Sequence, residues 1–151
     1  MNYLDDIEFL ERVDLVPRRV QYAKITLLAF DTELPIKTIE GQITSGNLSV
    51  NGASAVRRTL TLSEIASVEN ADIENLENEI SLKRKVKVEI GYENPFANEG
   101  VYPDKILWFP CGDFVLSSAS LSRSTSGFNI SISGKDKMCL LDGTAGGVIP
   151  S

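Results

Sequence analysis

Residues 85–92, Lys-Val-Lys-Val-Glu-Ile-Gly-Tyr, alternate between polar and apolar side chains, and this alternation decides the fold class. The stretch 128–133, Phe-Asn-Ile-Ser-Ile-Ser, has the same period of two. Successive side chains of a β-strand point to opposite sides, so this period is typical of strands with one buried face. The two stretches therefore predict a sheet that covers a core on one side.

Similar patterns on either side bring the expected total to about seven strands. The further predicted strands are 19–30, 42–50, 56–65, 106–109 and 114–120. Between two of them, Asn51-Gly52 is the sharpest hairpin signal, because both residues tolerate the positive φ angles of a type I′ turn. This pattern predicts a mainly β fold, an antiparallel β-barrel or sandwich.

One or two short helices are expected beside the strands. Apolar residues at helical spacing after Asn70 predict a helix over 71–80. A second short turn is predicted over 135–141, with Met138 and Leu141 facing inward.

The chain divides into an N-terminal arm (1–18), a β-barrel domain (19–145) and a C-terminal exit segment (146–151). In the arm, Leu4, Ile7 and Leu10 lie at roughly helical spacing. The arm either covers its own barrel or lies on a neighbouring copy. Because so short a segment buries little apolar area alone, we expect these three residues to pack on another subunit.

Composition excludes several classes of chemistry. The 151 residues include no histidine, which excludes Ser-His-Asp and Cys-His catalysis, and the two cysteines, Cys111 and Cys139, offer no zinc ligand set. No apolar run is long enough to cross a bilayer, so no membrane insertion is expected. A net charge of −6 argues against general nucleic-acid binding. We predict no enzyme activity and no catalytic, cofactor-binding or metal site.

Acidic residues are concentrated in residues 1–14 and 64–79, and a basic cluster at 83–87 follows the second stretch. Both could be ordinary solvated faces, or they could meet opposite charges on another subunit.

Four runs resemble bacteriophage tail-hub and baseplate proteins. They are 39–60, which resembles the opening β-hairpin, 85–92, 108–116, and, most specific, 130–143 (Ile-Ser-Ile-Ser-Gly-Lys-Asp-Lys-Met-Cys-Leu-Leu-Asp-Gly). The resemblance implies a tail-tube-type β-barrel whose copies form a ring that continues the tail channel and connects the tail tube to distal parts. A helix would pack on the barrel, and a long hairpin would pair with the neighbouring subunit.

The same resemblance implies the partners and the location. The expected partners are further copies in a homo-oligomeric ring and other tail or baseplate proteins. The genome would pass through the channel without specific binding. The expected location is the virion tail, assembled in the cytoplasm of the host bacterium.

The hairpin around Asn51 and Gly52 is the second expected interface. Its strands are too polar to bury a face of their own, so we expect its tip to extend a neighbour's sheet. Arg57 and Arg58 would then meet acidic side chains, with the 64–79 stretch of the adjacent copy as the candidate.

Two other function classes stay open on the sequence. One is a carbohydrate- or receptor-binding β module of a virion, with Trp108, Tyr102 and Tyr92 as stacking platforms. The other is a small hydrolase that uses two of its many carboxylates.

Overall fold

The computed structural model describes residues 2–17, 20–29, 31–53, 57–67, 84–124 and 127–140. Over these residues the protein is one sheet of seven antiparallel strands with one α-helix, which confirms the mainly β class. The helix α1 spans Ile7–Asp14, and the strands are β1 (Gln21–Leu28), β2 (Pro35–Ile43), β3 (Ser45–Val50), β4 (Arg58–Ser67), β5 (Lys85–Glu93), β6 (Ile106–Ser124) and β7 (Gly127–Asp136). Short 3₁₀ turns lie at Tyr3–Asp5, Ala97–Glu99 and Lys137–Leu140.

The strands follow the order β2-β1-β5-β6-β7-β4-β3. One additional bridge, from Gln42 in β2 to Ala66 in β4, joins strands that are otherwise separated in this order. A single bridge leaves the sheet unclosed, so the structure shows the sheet and the barrel stays a prediction.

The inner face of the sheet carries the main core, as the alternation predicts. Val86 and Val88 of β5 are fully buried, and Ile130 and Ile132 of β7 are nearly so. Phe114 of β6 is also fully buried in this cluster. The side chains that alternate with these buried residues point outward, as a period of two requires.

The predicted break between 106–109 and 114–120 is wrong, because β6 runs through it. Val88 pairs with Gly112 and Glu89 pairs with Pro110, so Cys111 is one extra residue in β6, as in a β-bulge. The Pro-Cys-Gly sequence therefore marks a bulge inside a strand and not a turn.

The predicted strand 42–50 is two strands with different partners. β2 pairs with β1 and ends at Ile43, whereas β3 begins at Ser45 and pairs with β4. β2 also begins earlier than expected, at Pro35. Its alternation is weak because Lys37 and Gly41 stand opposite the buried Leu27 and Ala23 of β1.

The predicted two-residue turn at Asn51-Gly52 is also wrong. Val50 pairs with Arg58, and the Asn51 amide donates to the Arg57 carbonyl over 2.6 Å, so the connection covers residues 51–57. Asn51 instead accepts a hydrogen bond from the Ala53 amide through its side chain. Among the described residues, neither Asn51 nor Gly52 has a positive φ, so no type I′ turn forms.

The predicted helix over 71–80 lies outside the described residues, as does Leu141. The predicted turn near the C-terminus is the 3₁₀ turn Lys137–Leu140. Its buried residue is Cys139, while Met138 is exposed, so the expected inward orientation of Met138 is wrong.

Candidate assembly surfaces

The strand β3 lies at the edge of the sheet, and all six of its residues are exposed. It pairs with β4 on one side, and no described strand pairs with its other side. Leu48 stands opposite the buried Leu60 and therefore lies on the core-facing side, as does Val50. The face of the main core thus continues into an exposed apolar row at the end of the hairpin.

The loop after β3 is held by a buried carboxylate. Asp136, 5% exposed, accepts hydrogen bonds from the backbone amides of Arg57 and Arg58, each over 2.9 Å, through Oδ2. Its Oδ1 accepts from the Met138 amide over 2.9 Å. One side chain of β7 therefore joins the hairpin to the 3₁₀ turn.

The two arginines that the sequence singles out have different roles. The guanidinium of Arg58 donates to the Cys111 carbonyl over 3.2 Å, and its Cζ lies 5.6 Å from the centre of the Phe114 ring. Arg57 is exposed, and its guanidinium contacts no acceptor among the described residues. Arg58 thus belongs to the fold, whereas Arg57 belongs to the surface.

Gly112 makes room for Arg58. Its φ is +121°, and a Cβ at this position would overlap Nη1 of Arg58. We expect Gly112→Ala to lower the free energy of unfolding by about 2 kcal/mol, because the backbone conformation is strained for alanine and Arg58 must leave Cys111. Urea denaturation measures this change.

Two glycines serve as matched controls for Gly112→Ala. Gly100 has a φ of +81° with open space around it, so Gly100→Ala reports backbone strain alone, about 1 kcal/mol. Gly52 has neither feature, and its change should stay within about 0.5 kcal/mol. Equal losses at all three positions would contradict the role of Arg58.

A surface cleft of about 650 Å³ opens between the hairpin and the 3₁₀ turn. It is lined by Val50, Arg57, Arg58, Gly112, Asp113, Asp136, Lys137 and Met138. Its carboxylates are already bound: Asp136 accepts the three amide hydrogen bonds, and Asp113 lies 3.3 Å from Lys137 Nζ. The cation of the cleft that has no described partner is Arg57.

Beside the cleft, Glu33 joins three elements through ion pairs. One of its oxygens lies 2.7 Å from Lys137 Nζ and the other 2.8 Å from Lys85 Nζ. Hydrogen bonds from Lys137 and then Lys85 lower the pKa of Glu33 to about 2. The carboxylate therefore stays ionised far below its ordinary range.

This pKa predicts an acid-dependent contribution of Glu33 to stability. Because the folded-state pKa lies below the unfolded value of 4.5, the contribution is complete above pH 4.5 and is lost as the pH falls toward 2. We expect the stability difference between the wild type and Glu33→Gln to shrink over this window. A difference that is constant from pH 6 to pH 2, measured by urea denaturation, would contradict it.

The N-terminal arm packs on its own sheet. Phe9 and Val13 of α1 are buried against Tyr102 and Leu107, in a cluster separate from the main core. Of the two positions that the sequence left open, the described arm residues thus take the one on their own sheet. The aromatic residues on and before β6 supply the apolar surface that the short arm lacks by itself.

Polar contacts hold both ends of the arm. The Tyr3 hydroxyl accepts from the Trp108 amide and donates to the Trp108 carbonyl, both over 2.7 Å. Arg12 forms an ion pair with Glu99 at 3.0 Å. These contacts fix the rotation of α1 on the sheet.

Asp6 caps the N-terminus of α1 and also binds Tyr102, which packs under the helix. Its carboxylate accepts from the Phe9 amide over 3.0 Å and from the Tyr102 hydroxyl over 2.9 Å. The first of these contacts is the larger cause of the lowered pKa of Asp6. Burial, followed by the hydrogen bond to Asp6, raises the pKa of Tyr102.

The arm residues predicted at an interface lie in different environments. Ile7 is 71% exposed, whereas Leu4 and Leu10 are half-buried, with Leu10 packed against the arm's own cluster. The intersubunit contact through these residues stays a prediction. Phe9 fits the helical spacing of the arm only loosely and Val13 was not predicted, although their spacing of four after the capping residue Asp6 indicates this buried face.

The three aromatic residues of the carbohydrate-binding alternative do not form one open platform. Tyr102 is buried under α1. The ammonium of Lys24 lies over the Trp108 ring, 4.2 Å from its centre. The Tyr92 ring packs edge-on against Phe109 at 5.9 Å.

No protein-family model, curated protein or solved structure matches this chain. Within the described ranges, no three or more Cys, Asp or Glu residues are grouped as a metal site would need. The described helices are all too short or too polar to cross a membrane.

Proposed function

We propose that this protein is a structural component of a phage tail or baseplate. In this proposal it is a hub-like barrel that assembles into a homo-oligomeric ring, continues the tail channel and connects the tail tube to other tail proteins. The genome passes through the ring without specific binding, and the protein resides in the virion after assembly in the host bacterial cytoplasm. No catalytic step is assigned to it.

The proposed barrel would close where β2 meets β4. The bridge between Gln42 and Ala66 lies where β2 turns away at Thr44 to become β3. Closure at this point would leave β3 as an extra edge strand outside the barrel, because the first half of β4 pairs with β7 and is part of the main sheet.

The observation that carries the proposal is the exposed edge of β3. An edge strand with all residues exposed and no inward charge is an open template for another strand, and proteins usually block such edges. Leu48 and Val50 add an apolar row that the described part of the chain leaves exposed. Pairing with a neighbouring copy would satisfy both the backbone groups and the apolar row.

Leu48→Pro tests this edge. The Asn51 amide points toward β4, so the Leu48 amide, three residues earlier, points to the free side. Proline there removes one outward N–H without breaking the pairing with β4. We expect rings of the wild type in negative-stain images, formed alone or with co-expressed tail proteins, and loss of rings in Leu48→Pro.

Leu48→Thr is the matched control, because it also removes the leucine but keeps the amide donor. It should retain more assembly than the proline variant, while both show the wild-type circular dichroism spectrum. Normal rings in Leu48→Pro, or absence of wild-type protein from assembled particles, would contradict the proposed function.

A further inference from the structure

The cleft beside the hairpin offers one uncommitted positive charge between two apolar walls. Arg57 lies on its rim without a described acceptor. Val50, 68% exposed, and Met138, 45% exposed, line the same cleft. Such a surface fits a segment that carries acidic and apolar side chains together.

The outer face of α1 has this composition. Ile7, Glu11 and Leu15 follow one another at a spacing of four, which places them in one row along the helix. Ile7 is 71% and Leu15 is 84% exposed, on the side opposite the buried Phe9 and Val13. The Glu11 carboxylate forms no hydrogen bond or ion pair with a described residue, so its charge is uncommitted.

The other charged residues of α1 also leave its negative charges free and its positive charge paired. Glu8 is also exposed and without a described partner, while the one base of α1, Arg12, is engaged with Glu99. The outer face of α1 therefore presents negative charge. The cleft presents positive charge at Arg57.

We propose that the cleft of one copy receives the outer face of α1 from a second copy. Ile7 and Leu15 would contact Val50 and Met138, and Glu11 would pair with Arg57. The row from Ile7 to Leu15 is about 12 Å long, a span that a short surface groove holds in helix-in-groove recognition. None of the described arm residues lines the cleft within the same copy, so the contact requires two copies.

This contact is head-to-tail, because the two surfaces are different parts of the chain. A head-to-tail contact closes into a ring when the rotation between copies allows it. The inference rests on the proposed assembly function and names a partner surface for it. It also assigns Arg57 to α1 of the next copy, in place of the 64–79 stretch expected from the sequence.

Disulfide trapping tests the contact directly. Ile7→Cys and Val50→Cys are made in separate full-length chains, one of them tagged, and mixed under mild oxidation. We expect a covalent heterodimer of the two variants. Val101→Cys replaces Val50→Cys as the matched control, because Val101 is also 68% exposed but lies on neither surface. Equal heterodimer yields with the two partners would overturn the inference.

Charge reversal tests the pairing independently. Arg57→Glu and Glu11→Arg each place like charges on the two surfaces, so each variant alone should lose association in sedimentation velocity. Mixing the two variants restores opposite charges at both contacts, and we expect association to return. If the mixture stays dissociated, the inference is wrong.

The same measurement separates the two candidate partners of Arg57. Rescue of Arg57→Glu by a chain carrying Glu74→Lys and Glu77→Lys, but not by Glu11→Arg, would assign the arginine to the 64–79 stretch and overturn this inference. Because that rescue leaves ring formation through β3 intact, it would not contradict the proposed function. Loss of rings in Leu48→Pro is likewise expected whichever surface binds Arg57.

Discussion

Asp136→Ala is expected to lower the free energy of unfolding by about 4 kcal/mol, since three backbone donors lose a charged acceptor in a buried position. Hydrogen bonds to charged groups stabilise proteins by about 1.5–3 kcal/mol each, and three that share one carboxylate contribute less than their sum. Urea denaturation followed by Trp108 fluorescence gives the change. Amide hydrogen exchange at Arg57 and Arg58 should accelerate.

Asp113→Ala is the control for Asp136→Ala. Asp113 is two-fifths exposed and pairs with Lys137, so its loss should cost at most about 1 kcal/mol. Asp136→Asn should fall between the two, because the amide keeps one acceptor oxygen and loses the other. Similar effects of Asp113→Ala and Asp136→Ala would show that Asp136 does not hold the loop.

Phe9→Ala is expected to lower the free energy of unfolding by a similar amount, about 4 kcal/mol, because it removes the largest side chain of the arm's buried face. The Phe9 ring lies 4.6 Å from the centre of the Tyr102 ring and 6.2 Å from that of Phe96. Its loss leaves a cavity that these rings fill only in part. Thermal and urea denaturation measure the effect.

Ile7→Ala is the control on the same helix. Ile7 is exposed, so its truncation should change stability by no more than about 0.5 kcal/mol. Removing residues 2–16 should lower the thermal transition, in contrast to the small effect expected for an arm that only a neighbour orders. An unchanged transition in both Phe9→Ala and the deletion would contradict the packing of α1 on the sheet.

Strands with one clean apolar face are predictable from this sequence, and strands without one are not. Val86 and Val88 alternate with lysines because their strand has one buried and one solvated face. β2 escapes prediction because Lys37 and Gly41 occupy its inward positions, so its hydrophobic period is lost. In β6, Pro110 is tolerated because its missing N–H faces the side that β7 does not reach.

The candidate assembly surfaces are predictable in part. An exposed polar hairpin is visible in the composition of 42–58, but the length of its turn depends on Asp136, about eighty positions away. The separate roles of Arg57 and Arg58 depend on the bulge at Cys111 and on the space left by Gly112, which no local pattern reveals. In the arm, two apolar faces compete, and the face with the aromatic Phe9 is the one that the sheet buries.

The first half of β6 is an edge that side chains close in place of a strand. Residues 106–113 pair with β5 on one side, and on the other side Tyr3 binds Trp108 and Arg58 binds Cys111. Both capping residues precede β6 in the chain, so during synthesis they leave the ribosome before the edge that they cover. Arg58 covers its part of the edge only after β7 has joined β4 to β6. Tyr3 can cover its part as soon as the edge forms, which shortens the time in which a second nascent chain can pair with it.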